Sequence, residues 1–224
     1  MKKYELTEET KVIGGKTLFR IRALRSFGGI KAGDLGGFIE NERNLSHEGN
    51  AWVGDNAKVG GDAWVGGNAQ VGGNARVGGN AKVSDNARVG GYARVGGYAW
   101  VGGNARVGGY ARVNGDAQVV GDARVDGNAQ VGGDAWVGGN ARVGGDGLIN
   151  SNNDYLCEQG LGSRNRSASF FKCKDGHIHV LCGCFSGNLD EFENKVKEEH
   201  GNSKYSKEYL GFIEVVKTHF EVRQ

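Results

Sequence analysis

Asn50-Ala51-Trp52-Val53-Gly54-Asp55-Asn56-Ala57-Lys58-Val59-Gly60-Gly61-Asp62-Ala63-Trp64-Val65-Gly66-Gly67 is three copies of one six-residue unit, and the unit runs on without insertion. Ala stands at 51 and every sixth position to 141, and Val at 53 and every sixth position to 143. That makes sixteen copies, followed by a degenerate one with Gly147 and Ile149. Ala-x-Val is a period-2 triplet that puts a small and a branched apolar residue on one face of an extended chain. The Gly-Gly-Asn or Gly-Gly-Asp that follows is turn chemistry, tolerant of left-handed backbone angles. A strand too short to stand alone, then a turn, at fixed period, predicts a solenoid whose units bury their apolar faces on one another.

The repeat accounts for a composition of 42 Gly and no Pro in 224 residues, which without a period would suggest disorder. Net charge is +2, with acids and bases nearly balanced in each third of the chain. This excludes both a strongly basic nucleic-acid binder and an acidic mimic of DNA. Met1 to Thr10 is charged and has no apolar run, so it does not read as a secretory signal. No stretch approaches the roughly 18 apolar residues of a membrane span. The expectation is a cytoplasmic protein, free of membrane contact, with Cys157, Cys173, Cys182 and Cys184 as reduced thiols.

The unit (aliphatic, Gly, two variable residues, small residue, variable residue) resembles the hexapeptide-repeat family across residues 50–150. The resemblance implies an all-β, left-handed parallel β-helix of triangular section. Three units make one coil, with Val filling the corners and Ala permitting the tight turns. Eighteen residues per coil would give between five and six coils, stacked about 4.8 Å apart. A buried Val contributes roughly 1.5–3 kcal/mol, while ordering each residue costs roughly 1–2 kcal/mol. Stability must therefore lean on coil-to-coil hydrogen bonds and on the ends, and open end coils would template aggregation unless capped.

Residues 1–49 read as an N-terminal β cap. Thr17 to Leu24 alternates as a strand after a Gly14-Gly15 turn, and Gly33-Asp34-Leu35-Gly36-Gly37-Phe38-Ile39-Glu40 with Asn44-Leu45-Ser46 leads into the first coil. Residues 151–224 read as a small α+β module. Ser167–Lys174 and His177–Cys184 form a hairpin across Asp175-Gly176. Leu189, Phe192 and Val196 mark a first amphipathic helix ending near Gly201; Tyr209, Phe212, Ile213, Val216 and Phe220 mark a second. Both flanks resemble those of phage- and prophage-encoded hexapeptide-repeat proteins. At the C-terminal end the resemblance rests on Gly162-Ser163-Arg164-Asn165, Cys182-Gly183-Cys184-Phe185-Ser186-Gly187 and Phe192.

The family also contains acyltransferases, in which a catalytic His acts as general base near an extended loop and coenzyme A lies between neighbouring helices of a trimer. Its γ-class carbonic anhydrases hold zinc with three His. The repeats here carry no His and no loop. His47, beside Glu48 at the entrance, reads as a solvated cap residue. No catalytic residue, metal or cofactor is assigned. His177 and His179, with Cys182 and Cys184 beyond, are read as strand residues rather than a zinc site, for want of a Cys-x-x-Cys knuckle. Gly162 to Arg166 is a polar turn whose Arg164 and Arg166 could meet an anion, and Ser163 has no evident base.

The residue between Ala and Val should point outward, and an eighteen-residue coil sorts these positions onto three faces. The first carries Trp52, Gln70, Arg88, Arg106, Arg124 and Arg142; the second Lys58, Arg76, Arg94, Arg112 and Gln130; the third Trp64, Lys82, Trp100, Gln118 and Trp136. Neighbouring Arg in such rows repel by on the order of 1 kcal/mol in water, and Asp116 and Asp122 are expected to temper this. The rows are candidate contacts for an anionic partner, with nucleic acid not favoured. The Trp column, joined by Tyr92, Tyr98 and Tyr110 on the middle coils, is the candidate interface for self-association as a dimer or trimer, or for a host protein complex. The expected function is a non-catalytic, phage-derived binding or scaffold protein, possible roles being an inhibitor of a host defence complex or a phage assembly element. The enzyme alternative is an acyltransferase.

Overall fold

Each six-residue unit folds as a two-residue strand and a turn. The computed structural model describes residues 2–221. Ahead of the regular units lie β1 (Tyr4–Ile13), β2 (Lys16–Ala23) and β3 (Leu35–Ile39). The units then supply seventeen short strands, β4 to β20, from Trp52–Val53 through Leu148–Ile149 at six-residue spacing. Strands eighteen residues apart pair in parallel, so the units deal into three sheets: β4-β7-β10-β13-β16-β19, β5-β8-β11-β14-β17-β20 and β6-β9-β12-β15-β18. The result is a three-sided parallel β-solenoid of about six coils. Every repeat Ala and Val is at most 3% exposed, and together they form one continuous core.

The turn explains the glycines. Ala57 N–H donates to Gly54 O at 3.0 Å, closing a tight corner. Its second residue adopts positive φ, as in Gly91 at +62°, where an added Cβ would lie 2.9 Å from the backbone O and 3.0 Å from the backbone N of Gly109 one coil on. Asp55 and Asp85 occupy the same position at φ 51° and 58°. Their carboxylates compensate by accepting from Gly73 N–H (2.7 Å) and Gly103 N–H (2.9 Å) on the next coil.

Where the short strands pass into the turns, the coil-to-coil hydrogen bonds run one way: N–H of each coil donates to C=O of the next, as Trp52 does to Ala69 and Arg88 to Ala105, both at 2.9 Å, while each parallel strand pair also returns an N–H to the coil before it. The first coil therefore presents an excess of bare carbonyls and the last an excess of bare amides, and each must be satisfied. At the first coil the cap brings donors. Phe38 N–H reaches Ala57 O, Glu40 N–H Val59 O and Ser46 N–H Val65 O. Asn44 Nδ2 donates to Gly61 O and Ala63 O, and Lys3 Nζ to Ala51 O. At the last coil the C-terminal module brings acceptors: Ser169 Oγ takes Arg142 N–H at 2.8 Å and Asn152 Oδ1 takes Trp136 N–H at 2.7 Å.

In the N-terminal cap, β1 and β2 form an antiparallel hairpin through Gly14-Gly15, both at positive φ. β1 was not expected, because its alternating Tyr4 and Leu6 are diluted by charge, as suits an exposed edge strand. β3 pairs antiparallel with β2 and parallel with β5, Phe38 opposite Lys58. Parallel stacking thus begins before residue 50, in an irregular leading coil. Two readings are corrected here. Trp52 does not face solvent but is 4% exposed, with Phe27 packed edge-on at 5.5 Å. His47 is half-buried rather than solvated: it stacks on Tyr4 at 4.4 Å and its Nδ1 accepts from Lys3 N–H.

The C-terminal module is a four-stranded antiparallel sheet, β21 (Tyr155–Leu161), β22 (Arg166–Lys172), β23 (Ile178–Cys182) and β24 (Phe185–Asn188), followed by α1 (Leu189–His200) and α2 (Lys204–His219). β22 and β23 are the expected hairpin; β21 and β24 escaped notice because neither has an apolar alternation. One face of the sheet, with Ser169, Phe171 and Cys173, closes the solenoid. The other, with Phe170, Val180 and Cys182, packs beneath the helices on Phe192, Tyr209 and Ile213. Asn188 caps α1 in a reciprocal pair with Glu191, and Gly201 ends it. Among the described residues no helix is long and apolar enough to cross a membrane.

Candidate functional site

The solenoid sets its outward residues in straight columns with no freedom of register. On the third face Trp64 lies opposite Lys82, Lys82 opposite Trp100, Trp100 opposite Gln118 and Gln118 opposite Trp136. The indoles are 38%, 39% and 57% exposed in chain order. They do not stand upright. An added Cβ on Gly66 would meet the Trp64 ring at 2.1 Å, and one on Gly102 would meet Trp100 at 2.7 Å, so each ring folds down over a turn glycine. Trp100 Nε1 donates to Ser84 Oγ at 2.9 Å. The column therefore both covers Gly-rich backbone and leaves an aromatic strip in solvent.

The tyrosines do not join that strip. Tyr92 and Tyr110 stack on each other (5.0 Å, 7°) at the corner between the first and second faces, opposite the Trp face, while Tyr98 stands alone at another corner. All three are more than half exposed. The stacked pair is flanked by the two Arg rows: Arg88 opposite Arg106 on one side, Arg94 opposite Arg112 on the other. Arg124 and Arg142 extend the first row and Arg76 and Lys58 the second. Burial, then Arg76 and Lys11, hold the Lys58 ammonium below its usual range.

Asp116 and Asp122, expected to temper the Arg rows, form no ion pair with them. Asp122 accepts from Asn104 on another corner, and among the described residues no Arg of either row forms an ion pair. Sequence reasoning missed the feature at that other corner. Asn50, Asn68, Asn86, Asn104 and Asp122 form a ladder in which each amide donates to the next at 3.0–3.2 Å. The signal was there: one residue type at eighteen-residue spacing.

In the C-terminal module the Gly162 to Arg166 turn does contribute to a cleft, of about 580 Å³. Ser163, Arg164, Arg166, Lys195 and His200 surround an apolar floor of Phe185, Phe192 and Val196. Gly183, at φ +59°, lets Arg166 lie against the turn, since an added Cβ would overlap its guanidinium. His200 stacks on Tyr209, whose hydroxyl burial pushes up to about 12. Burial likewise raises the Cys182 thiol.

The His and Cys residues group differently from the sequence reading. Cys182 lies under the helices and Cys184 is exposed, whereas Cys173 comes to His177 and His179 across the hairpin turn, with one ligand atom of each within 4.8 Å of the others. Burial, then the Asp175 and Asp146 carboxylates, push the Cys173 thiol up to about 11.

No protein-family model and no curated protein matches this chain.

Proposed function

We propose that the protein is a non-catalytic binding rod that docks the acidic face of another protein on the corner formed by Tyr92 and Tyr110. One observation carries this reading: four guanidinium groups, Arg88, Arg94, Arg106 and Arg112, flank two exposed, stacked phenol rings, and none is ion-paired among the described residues. Arg and Tyr are the residue types that dominate interface energetics. A rigid solenoid offers them with no backbone left to order on binding, and an acidic partner would supply the charge the rows lack. The likeness of the two flanks to phage and prophage hexapeptide-repeat proteins supports a place in the bacterial cytoplasm, as an inhibitor of a host defence complex or as an assembly element. Catalysis of the acyltransferase kind has no support in the repeats, which hold no His to act as its base.

Calorimetry with polyglutamate, single-stranded DNA and acetyl-coenzyme A tests this. Salt-dependent binding of polyglutamate that disappears when Arg88, Arg94, Arg106 and Arg112 are changed to Glu supports it. Tighter binding of DNA would transfer the corner to nucleic acid, and saturable micromolar acetyl-coenzyme A binding would overturn the non-catalytic assignment.

A second reading, association of copies through the third face, is favoured by Trp136, which remains 57% exposed despite folding over its own turn.

A further inference from the structure

We propose that Cys173, His177 and His179 form a binding site for a single Zn²⁺ ion, with three protein ligands and a fourth position open to solvent. The donor set, one thiolate and two imidazoles, is that of zinc. Strand geometry assembles it. His177 and His179 are two residues apart, so they project to the same side of the sheet. Cys173 is brought alongside by the turn between them, where its N–H donates to His177 O at 2.9 Å.

The two imidazoles are already aimed. Asp175 Oδ1 lies 2.5 Å from His177 Nδ1 and Ser186 Oγ 3.0 Å from His179 Nε2. A carboxylate that takes the outer proton of a His leaves its other nitrogen bare, which is the second-shell arrangement of zinc-bound imidazole. The inward nitrogens, His177 Nε2 and His179 Nδ1, face each other at 3.5 Å. Two nitrogens on a tetrahedral zinc at ~2.05 Å lie about 3.3 Å apart, so this pair needs almost no movement. Cys173 Sγ, within 4.8 Å of one nitrogen of each imidazole, would close in by about 1 Å to reach the ~2.3 Å zinc–sulfur distance. On binding, the thiol proton leaves to solvent and the thiolate pair forms the bond to zinc. Cys173 is buried and His177 exposed, so the open position faces outward.

The site sits where the C-terminal sheet meets the last coil. Cys173 is bridged to Gly147, and Lys174 N–H donates to Asp146 O. A metal there would pin the hairpin turn onto the end of the solenoid.

Zinc content of the full-length protein, dialysed after exposure to zinc chloride, is the first test. About one equivalent per chain is expected, falling at least tenfold when His177 and His179 are both changed to Ala. Cobalt substitution is the second and needs no variant: a thiolate-to-cobalt charge-transfer band is expected in the wild-type protein and its loss in Cys173→Ser. Less than a tenth of an equivalent of zinc, zinc held equally by the folded double variant, or a cobalt spectrum without the thiolate band would each overturn the assignment.

Discussion

Lys3 Nζ donates a 2.8 Å hydrogen bond to Ala51 O from a side chain with no exposed surface. A buried lysine is costly, and here it answers a specific demand: the carbonyls left bare at the first coil need donors, and an ammonium offers three. A second proton reaches Glu48 O at 3.4 Å.

Lys3→Met should therefore destabilise the protein by about 1–3 kcal/mol at neutral pH, the cost of a buried carbonyl left without a donor. Burial, then Arg25, lower the Lys3 pKa to about 8 in the folded protein, from 10.5. Between those values the unfolded chain binds more protons than the folded one, so wild-type stability gains with rising pH. The penalty of holding Lys3 charged is full below about pH 8 and fades towards 10.5. Urea titrations of both proteins across that window should show their stability difference widening; a constant difference would refute the buried charge.

At the opposite end the requirement is reversed. Ser169→Ala removes the acceptor of Arg142 N–H and should cost about 1–3 kcal/mol. Asn152→Ala, which frees Trp136 N–H, should act alike. The effects should add, because the two bonds close different sheets. Chemical denaturation of the single and double variants measures this.

Adjacent glycines should respond in opposite ways. Gly91→Ala forces a side chain into positive φ and against the backbone of Gly109, and should cost about 1–3 kcal/mol. At Gly90 an added Cβ meets nothing within 4 Å and φ is not positive, so Gly90→Ala should be neutral or stabilising by up to about 1 kcal/mol. Equal losses at both sites would mean the turn is not formed as described.

If copies associate through the third face, light scattering should give a dimer or trimer, converted to monomer when Trp64, Trp100 and Trp136 are changed to Ser. Association unaffected by the substitutions would remove the Trp column from the interface.

The repeat was legible because it is local. Ala and Val at fixed spacing specify the strand, the turn and, with no insertion, the vertical register that puts Trp64, Trp100 and Trp136 in one column. What was missed depends on chain-distant partners. Trp52 occupies an outward position and is buried because the N-terminal cap, with Phe27 and Gly36, folds over it. Cys182 and Cys184 looked closer to His179 in sequence than Cys173, yet the hairpin register carries them elsewhere. The tyrosines share aromaticity with the tryptophans but precede the repeat Ala where the tryptophans follow it, two positions apart in the unit, which assigns them to corners rather than faces.

Because the chain returns above itself after eighteen residues, rod length is quantised in storeys. Excising residues 86–103 should leave both end modules oriented as before, one storey closer. Excising a single hexamer would swing the C-terminal module by a third of a revolution and hand each side of the rod to a different column.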